Sequence, residues 1–229
     1  MQGNNLELKN LPQFIDHTLL KPEATESQHR LLCQEAKEFG FATICINSKW
    51  LPFCVQELGT SKVKPICVIG FPLGACSTDV KVYETEWCVK NGALEIDMVI
   101  SVGSLKSGDL NFVENDIRSV VKAANGKPVK VIIETGLLTL EEKKLACELS
   151  VKAGAHFVKT CTGFGPGVAT IEDIQLMKSI VKDACLIKAS GGIKTFEQAA
   201  QLIQAGASRL GTSSGVALVK GLTINPSSY

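Results

Sequence analysis

Lys159 closes the run Ala155-His156-Phe157-Val158-Lys159-Thr160, and Lys188 closes Cys185-Leu186-Ile187-Lys188-Ala189-Ser190; glycine follows each within a few residues. An ammonium at the rim of a buried strand loses hydration, and a second ammonium beside it lowers its pKa further, leaving an amine able to attack a carbonyl. Either lysine alone reads as a side chain snorkelling from a strand end to water. Two in the same context point to Schiff-base chemistry. Other reactive types end apolar runs too, Asp16 with His17, then Asn47 and Glu134, and the fourth run contains Glu95 and Asp97. Strand alternation puts Glu95 and Asp97 on one face of the fourth run, and Lys130, Ile132 and Glu134 on one face of the fifth. With both faces inward, Glu95 and Lys130 form a lower, structural ion pair and Asp97 stays near the mouth for chemistry. The plainer role for Asp97 is a buried partner for a lysine. Ser190-Gly191-Gly192-Ile193 and Gly211-Thr212-Ser213-Ser214-Gly215 read as phosphate loops, because glycine admits an anion close to the backbone and N–H groups at a helix start donate to it.

These residues need a scaffold that brings strand ends together. Short β-type runs recur at residues 14–17, 42–46, 64–69, 94–100, 129–135, 156–159, 185–188 and 208–211. Helical periodicity fills the intervals, with starts such as Thr25-Glu26-Ser27-Gln28, Leu138-Thr139-Leu140-Glu141-Glu142 and Ala169-Thr170-Ile171-Glu172-Asp173. Most helices are expected to stop at glycine: Gly40, Gly59, Gly92, Gly126, Gly154 and Gly206. Apolar strands joined by helices indicate a parallel sheet, and eight units indicate an α/β fold of the (β/α)8 TIM-barrel type. A doubly wound open sheet would carry a G-x-G-x-x-G turn after the first strand. Here that strand runs into Thr18-Leu19-Leu20-Lys21-Pro22. In a barrel of this kind the reactive groups sit at the C-terminal strand ends, with phosphate at the loops after the seventh and eighth.

At 229 residues and 45% apolar, the chain suits one barrel domain across residues 1–229, with a short polar N-terminal extension and a flexible tail from about residue 221. A net charge of +1 without a basic stripe argues against nucleic acid or an anionic membrane as partner. With no apolar stretch near the roughly 20 residues that span a bilayer, a cytoplasmic protein with a small-molecule ligand is expected. The nine cysteines include no C-x-x-C pair and read as reduced core residues. His17, His29 and His156 lack ligand spacing, so no metal site is expected.

The assembled motifs resemble those of the deoxyribose-phosphate aldolase family. The likeness runs from Ile15 to Gly215 through Ile15-Asp16-His17-Thr18-Leu19-Leu20-Lys21-Pro22, Ile69-Gly70-Phe71-Pro72-Leu73-Gly74, Glu95-Ile96-Asp97-Met98-Val99, Phe157-Val158-Lys159-Thr160, Lys188-Ala189-Ser190-Gly191-Gly192-Ile193 and Gly211-Thr212-Ser213-Ser214. The resemblance implies reversible cleavage of 2-deoxy-D-ribose 5-phosphate to acetaldehyde and D-glyceraldehyde 3-phosphate, without metal or organic cofactor, by a homodimer. It implies that Lys159 forms the Schiff base, Lys188 tunes it and Asp97 takes part in proton transfer. Gly163, Gly191, Gly192, Gly211, Ser213 and Ser214 then hold phosphate, with Asp16, Thr18 and Asn47 as secondary pocket residues. Some relatives carry a lysine after the glycine matching Gly163, where this chain has Phe164 in a loop stiffened by Pro166. Some also end in Ser-Ser-Tyr, which implies a proton-relay role for Tyr229. Three other readings keep part of this pattern: a phosphosugar epimerase or isomerase with Asp97 or Glu134 as base, a non-catalytic phosphosugar-binding barrel, and a metal-dependent aldolase.

Overall fold

The computed structural model describes residues 8–222. Its eight strands are β1 (Ile15–Leu19), β2 (Thr43–Ile46), β3 (Lys64–Ile69), β4 (Glu95–Val99), β5 (Val129–Ile132), β6 (Phe157–Lys159), β7 (Leu186–Ser190) and β8 (Arg209–Thr212). They close into a barrel in sequence order, every pair parallel, with β8 returning to β1. The helices are α1 (Glu26–Phe39), α2 (Leu51–Leu58), α3 (Thr78–Lys90), α4 (Val102–Lys106), α5 (Leu110–Ala123), α6 (Leu140–Lys152), α7 (Ile171–Val181), α8 (Phe196–Ala205) and α9 (Gly215–Val219). The expected (β/α)8 barrel is therefore present. Local chemistry starts two helices where the sequence places them, Thr139 and Glu142 forming a reciprocal capping box at α6 and Thr170 accepting the Asp173 N–H at α7, while Thr195 and Gln198 form a further box at α8. Gly40 closes α1 in the left-handed conformation.

Alternation along the strands separates two environments. Ile44, Ile46, Cys67, Ile69, Ile96, Met98, Val129, Val131, Val158 and Ile187 face outward, where they join the main apolar core under the helices. Each fully buried aliphatic side chain there contributes roughly 1.5–3 kcal/mol. Inside the barrel a small apolar group, Cys45, Ile66 and Val68 with Leu20, shares the space with buried ions. The cysteines are free; most are buried in the core, and Cys76 is partly exposed.

The fifth strand departs from expectation. It was expected to run to residue 135, but β5 stops at Ile132 and Glu134 takes a left-handed backbone (φ 56°, ψ 64°), so Glu134 is not an inward-facing strand residue. A 3-10 turn, Thr135–Leu137, follows directly. Just before β1, a 3-10 helix at Leu8–Phe14 buries Leu11 and accepts the Ala42 N–H at the Pro12 carbonyl. Tyr229 and the rest of the chain from residue 223 lie outside the described residues.

Candidate active site

Register brings the lysines together. Lys159 on β6 pairs directly with Lys188 on β7, Lys188 with Arg209 on β8, and Asp97 on β4 with Lys130 on β5. Neighbouring partners in a parallel sheet face the same side, so these groups converge on the barrel axis. Asp97 Oδ2 accepts from Lys159 Nζ and Lys188 Nζ, each at 2.7 Å, while its Oδ1 accepts from Lys130 Nζ at 3.0 Å. Lys188 Nζ also lies 2.5 Å from Asp16 Oδ2, and Asp16 Oδ1 is held by Thr43 Oγ1 at 2.7 Å and by the Arg209 guanidinium. Glu95 closes the cluster at 2.5 Å from Lys130 Nζ. The expected division into a lower Glu95–Lys130 pair and a separate Asp97 is thus too simple, because the Lys130 ammonium is compact enough to bridge both carboxylates.

Asp16, Glu95 and Asp97 meet Lys130, Lys159, Lys188 and Arg209, three carboxylates against four largely buried cations, and the exposed Lys64 Nζ stands 3.9 Å from Glu95 Oε1. Burial alone would raise the Asp97 carboxyl, but the ammonium groups of Lys130, Lys159 and Lys188 outweigh it and hold it well below the usual carboxylate range. Asp16 shows the same opposition of burial and cations and is also lowered. Burial would lower Lys188, yet Asp16 and Asp97 prevail and raise it, so Lys188 is a fixed cation. Gly211 makes room for it, since a Cβ there would stand 3.0 Å from Lys188 Cε and from Ser190 Cβ.

Above this cluster opens a cavity of about 380 Å3. Lys159 reaches it, with Thr18 on β1, Leu20 and Lys21 in the loop that follows, and Thr162, Gly163 and Phe164 after β6. Ser190 to Lys194 and Gly211 to Ser214 complete the lining, between the ends of β6 and β1. Gly191 and Gly192 have φ of 97° and 74°, the left-handed region that a side chain disfavours. The two loops are tied together: Thr212 Oγ1 donates to the Ile193 carbonyl at 2.9 Å and accepts the Ser214 N–H at 2.9 Å. Every expected phosphate-loop residue lines this cavity, as do Lys159 and Thr18. Lys188, Asp97 and Asp16 lie beneath it, fully buried. Asn47 is not among the lining residues and donates to the Leu20 carbonyl at 3.1 Å. Sequence reading did not assign Lys21, Thr162 or Lys194 to the site. Lys194 directly follows Ile193, and a lysine just past a Gly-Gly turn was the available signal.

The DeoC/LacD family aldolase profile matches residues 11–221. The chain belongs to that aldolase family. Members are carbon–carbon lyases, and a deoxyribose-phosphate aldolase of Carboxydothermus hydrogenoformans is 57% identical over 216 residues, covering 93% of this chain and 95% of that one. A crystal structure of a putative deoxyribose-phosphate aldolase from Coccidioides immitis superposes with a TM-score of 0.93 at 44% identity, covering 94% of this chain and 87% of its own. A tetrameric deoxyribose phosphate aldolase from Aeropyrum pernix superposes with a TM-score of 0.86 at 34% identity, covering 94% and 92%. Among the described residues, no group of three or more His, Cys, Asp or Glu side chains is arranged to hold a metal ion, and no helix is long and apolar enough to cross a membrane.

Proposed function

We propose that this aldolase cleaves 2-deoxy-D-ribose 5-phosphate reversibly to D-glyceraldehyde 3-phosphate and acetaldehyde through a Schiff base on Lys159. The observation that carries the reading is the sharing of one Asp97 oxygen by Lys159 and Lys188, with Lys159 alone of the pair lining the cavity. Loss of one proton from the cluster leaves three carboxylates against three cations, and Lys159 is the lysine of the cluster that reaches substrate. Its neutral amine adds to the C1 aldehyde of the open-chain sugar, and loss of water gives the iminium. A base removes the C3 hydroxyl proton, the C2–C3 bond breaks, and its electrons pass into the iminium to give an enamine as glyceraldehyde phosphate leaves. Asp97 is too strongly held as an anion to donate protons itself, so it and Lys188 orient a water that carries the proton away and returns one to C2. Water then releases acetaldehyde and the free amine.

The phosphate end fits Gly191, Gly192, Ser213 and Ser214, with Lys21 and Lys194 adding positive charge at the same cavity. A homodimer in the cytoplasm remains the proposed setting, in keeping with free thiols throughout. Borohydride treatment in the presence of substrate tests the chemistry, since only an imine is reduced to a stable adduct. We expect mass spectrometry to locate the adduct on Lys159, and Lys159→Ala to form none and to lose turnover. A phosphosugar epimerase or isomerase would leave Lys159 unmodified.

A further inference from the structure

Glu134 is one of three residues other than glycine with positive φ, beside Asn125 and Lys182, among the described residues. It is 3% exposed, whereas a left-handed backbone is disfavoured for a side chain with a Cβ. The turn aims its carboxylate sideways at the loop after β6. Glu134 Oε2 accepts both the backbone N–H of Thr162, at 3.2 Å, and its hydroxyl. Thr162 Oγ1 in turn accepts the N–H groups of Phe164 at 3.0 Å and Gly165 at 3.3 Å. Gly165 lies so close that a Cβ would stand 3.0 Å from Glu134 Cδ. The two loops are also clasped backbone to backbone. Thr135 donates its N–H to the Thr160 carbonyl at 3.1 Å, and a Cβ on Gly136 would fall 2.5 Å from Gly167. Thr162, Gly163 and Phe164, the residues this chain shapes, form one wall of the Lys159 cavity. Glu134 Oε1 is buried without a hydrogen-bond partner, so the carboxylate is committed through one oxygen to that wall.

We propose that Glu134 is a positioning residue for the substrate's phosphorylated end: it fixes the turn from Thr162 to Gly165 so that Gly163 and Phe164 face the cavity in one arrangement. The proposal rests on the aldolase reading of that cavity. It does not place Glu134 among the reacting groups, because its carboxylate is spent on Thr162 and takes no part in the Asp97 cluster. Substrate contacts away from the reacting carbon should therefore weaken while the amine chemistry persists.

The test compares Glu134→Ala, Glu134→Gln and Gly165→Ala with the parent. It uses 2-deoxyribose 5-phosphate and unphosphorylated 2-deoxyribose as substrates, and borohydride trapping of acetaldehyde, which carries no phosphate, on Lys159. Glu134→Ala is expected to raise KM for the phosphorylated sugar about 10-fold relative to the unphosphorylated one, with kcat and acetaldehyde trapping changed by no more than about 2-fold. Glu134→Gln keeps an oxygen for Thr162 and should stay within about 2-fold of the parent. Gly165→Ala crowds the carboxylate without removing it, and should raise the same KM ratio even where Glu134→Ala does not fold. The proposal is overturned by equal loss with both sugars, by loss of trapping in step with KM, or by an unchanged ratio in whichever of the Glu134→Ala and Gly165→Ala variants fold. Failure of the parent itself to trap acetaldehyde would overturn the aldolase reading, a result that differs from each of these.

Discussion

Two oxygens of Asp97 serve three ammonium groups, and that imbalance makes the residue at once a structural anchor and a chemical one. Asp97→Asn keeps the shape but removes the charge, so Lys130 and Lys188 are left with Glu95 and Asp16 alone and Lys159 loses its carboxylate. Breaking a buried ion pair from one side costs roughly 3–5 kcal/mol, and urea unfolding at neutral pH should show a loss of that order. Borohydride trapping on Lys159 should fall as well, since the lysine loses its orienting partner. Phe164 is a different kind of residue: half exposed at the cavity wall and stacked edge-on against Phe71 at 5.3 Å between centroids. It supplies no charge to a phosphate. Phe164→Lys should lower KM for 2-deoxyribose 5-phosphate by roughly 3- to 10-fold, a charge-assisted contact being worth about 1 kcal/mol at an exposed rim. KM for the unphosphorylated sugar should not move. If both constants fall together, the new lysine is acting on something other than the phosphate.

At the level of elements, the chemistry depends on which strand residue stands beside which. The opposition of Lys159 and Lys188 across β6 and β7 was legible, because both end apolar runs of the same kind and the two runs are consecutive. Seven of the eight expected strands agree with the observed ones to within two residues at each end, since strands buried on both faces stand out as short apolar runs between helical stretches. The end of β5 was not legible. Val129 to Thr135 is a continuous β-prone stretch, and the turn at Glu134 goes with contacts to the loop after β6, through the Glu134 carboxylate and the Thr135 N–H, that lie far off in sequence. The role of Gly211 was partly hidden for a similar reason. As a phosphate-loop glycine it could be anticipated, but the space it leaves for Lys188 depends on the β7–β8 register. Gly211→Ala should therefore displace the Lys188 side chain, an overpacking penalty of roughly 1–3 kcal/mol, and lower kcat more than it raises KM. Thermal unfolding and steady-state kinetics on the one variant check both halves.

For the molecule as a whole, the barrel's interior is largely ionic, and its apolar core lies between strands and helices. Such an interior links stability to pH in a direction that can be worked out. Asp16 and Asp97 have folded pKa values below their unfolded value, which is about 3.9 for an aspartate. The folded state therefore binds fewer protons than the unfolded state as the solution is acidified, and the stability these carboxylates contribute is complete above about pH 5 and drains away as pH falls below 4. Lys188 works in the opposite sense: its folded pKa is raised, so its contribution is complete below the unfolded value of about 10.4 and is lost only as pH climbs through the folded one. Between those limits this network should leave the unfolding free energy nearly flat. Asp16→Asn removes one of the two depressed carboxyls of the buried cluster. Urea unfolding at pH 7 and at pH 3 should then show a smaller loss on acidification in the variant than in the parent, even though the variant starts from a lower stability. Equal losses in the two proteins would mean that the acid limb arises at the surface, and that the buried carboxylates do not set the protein's tolerance of acid.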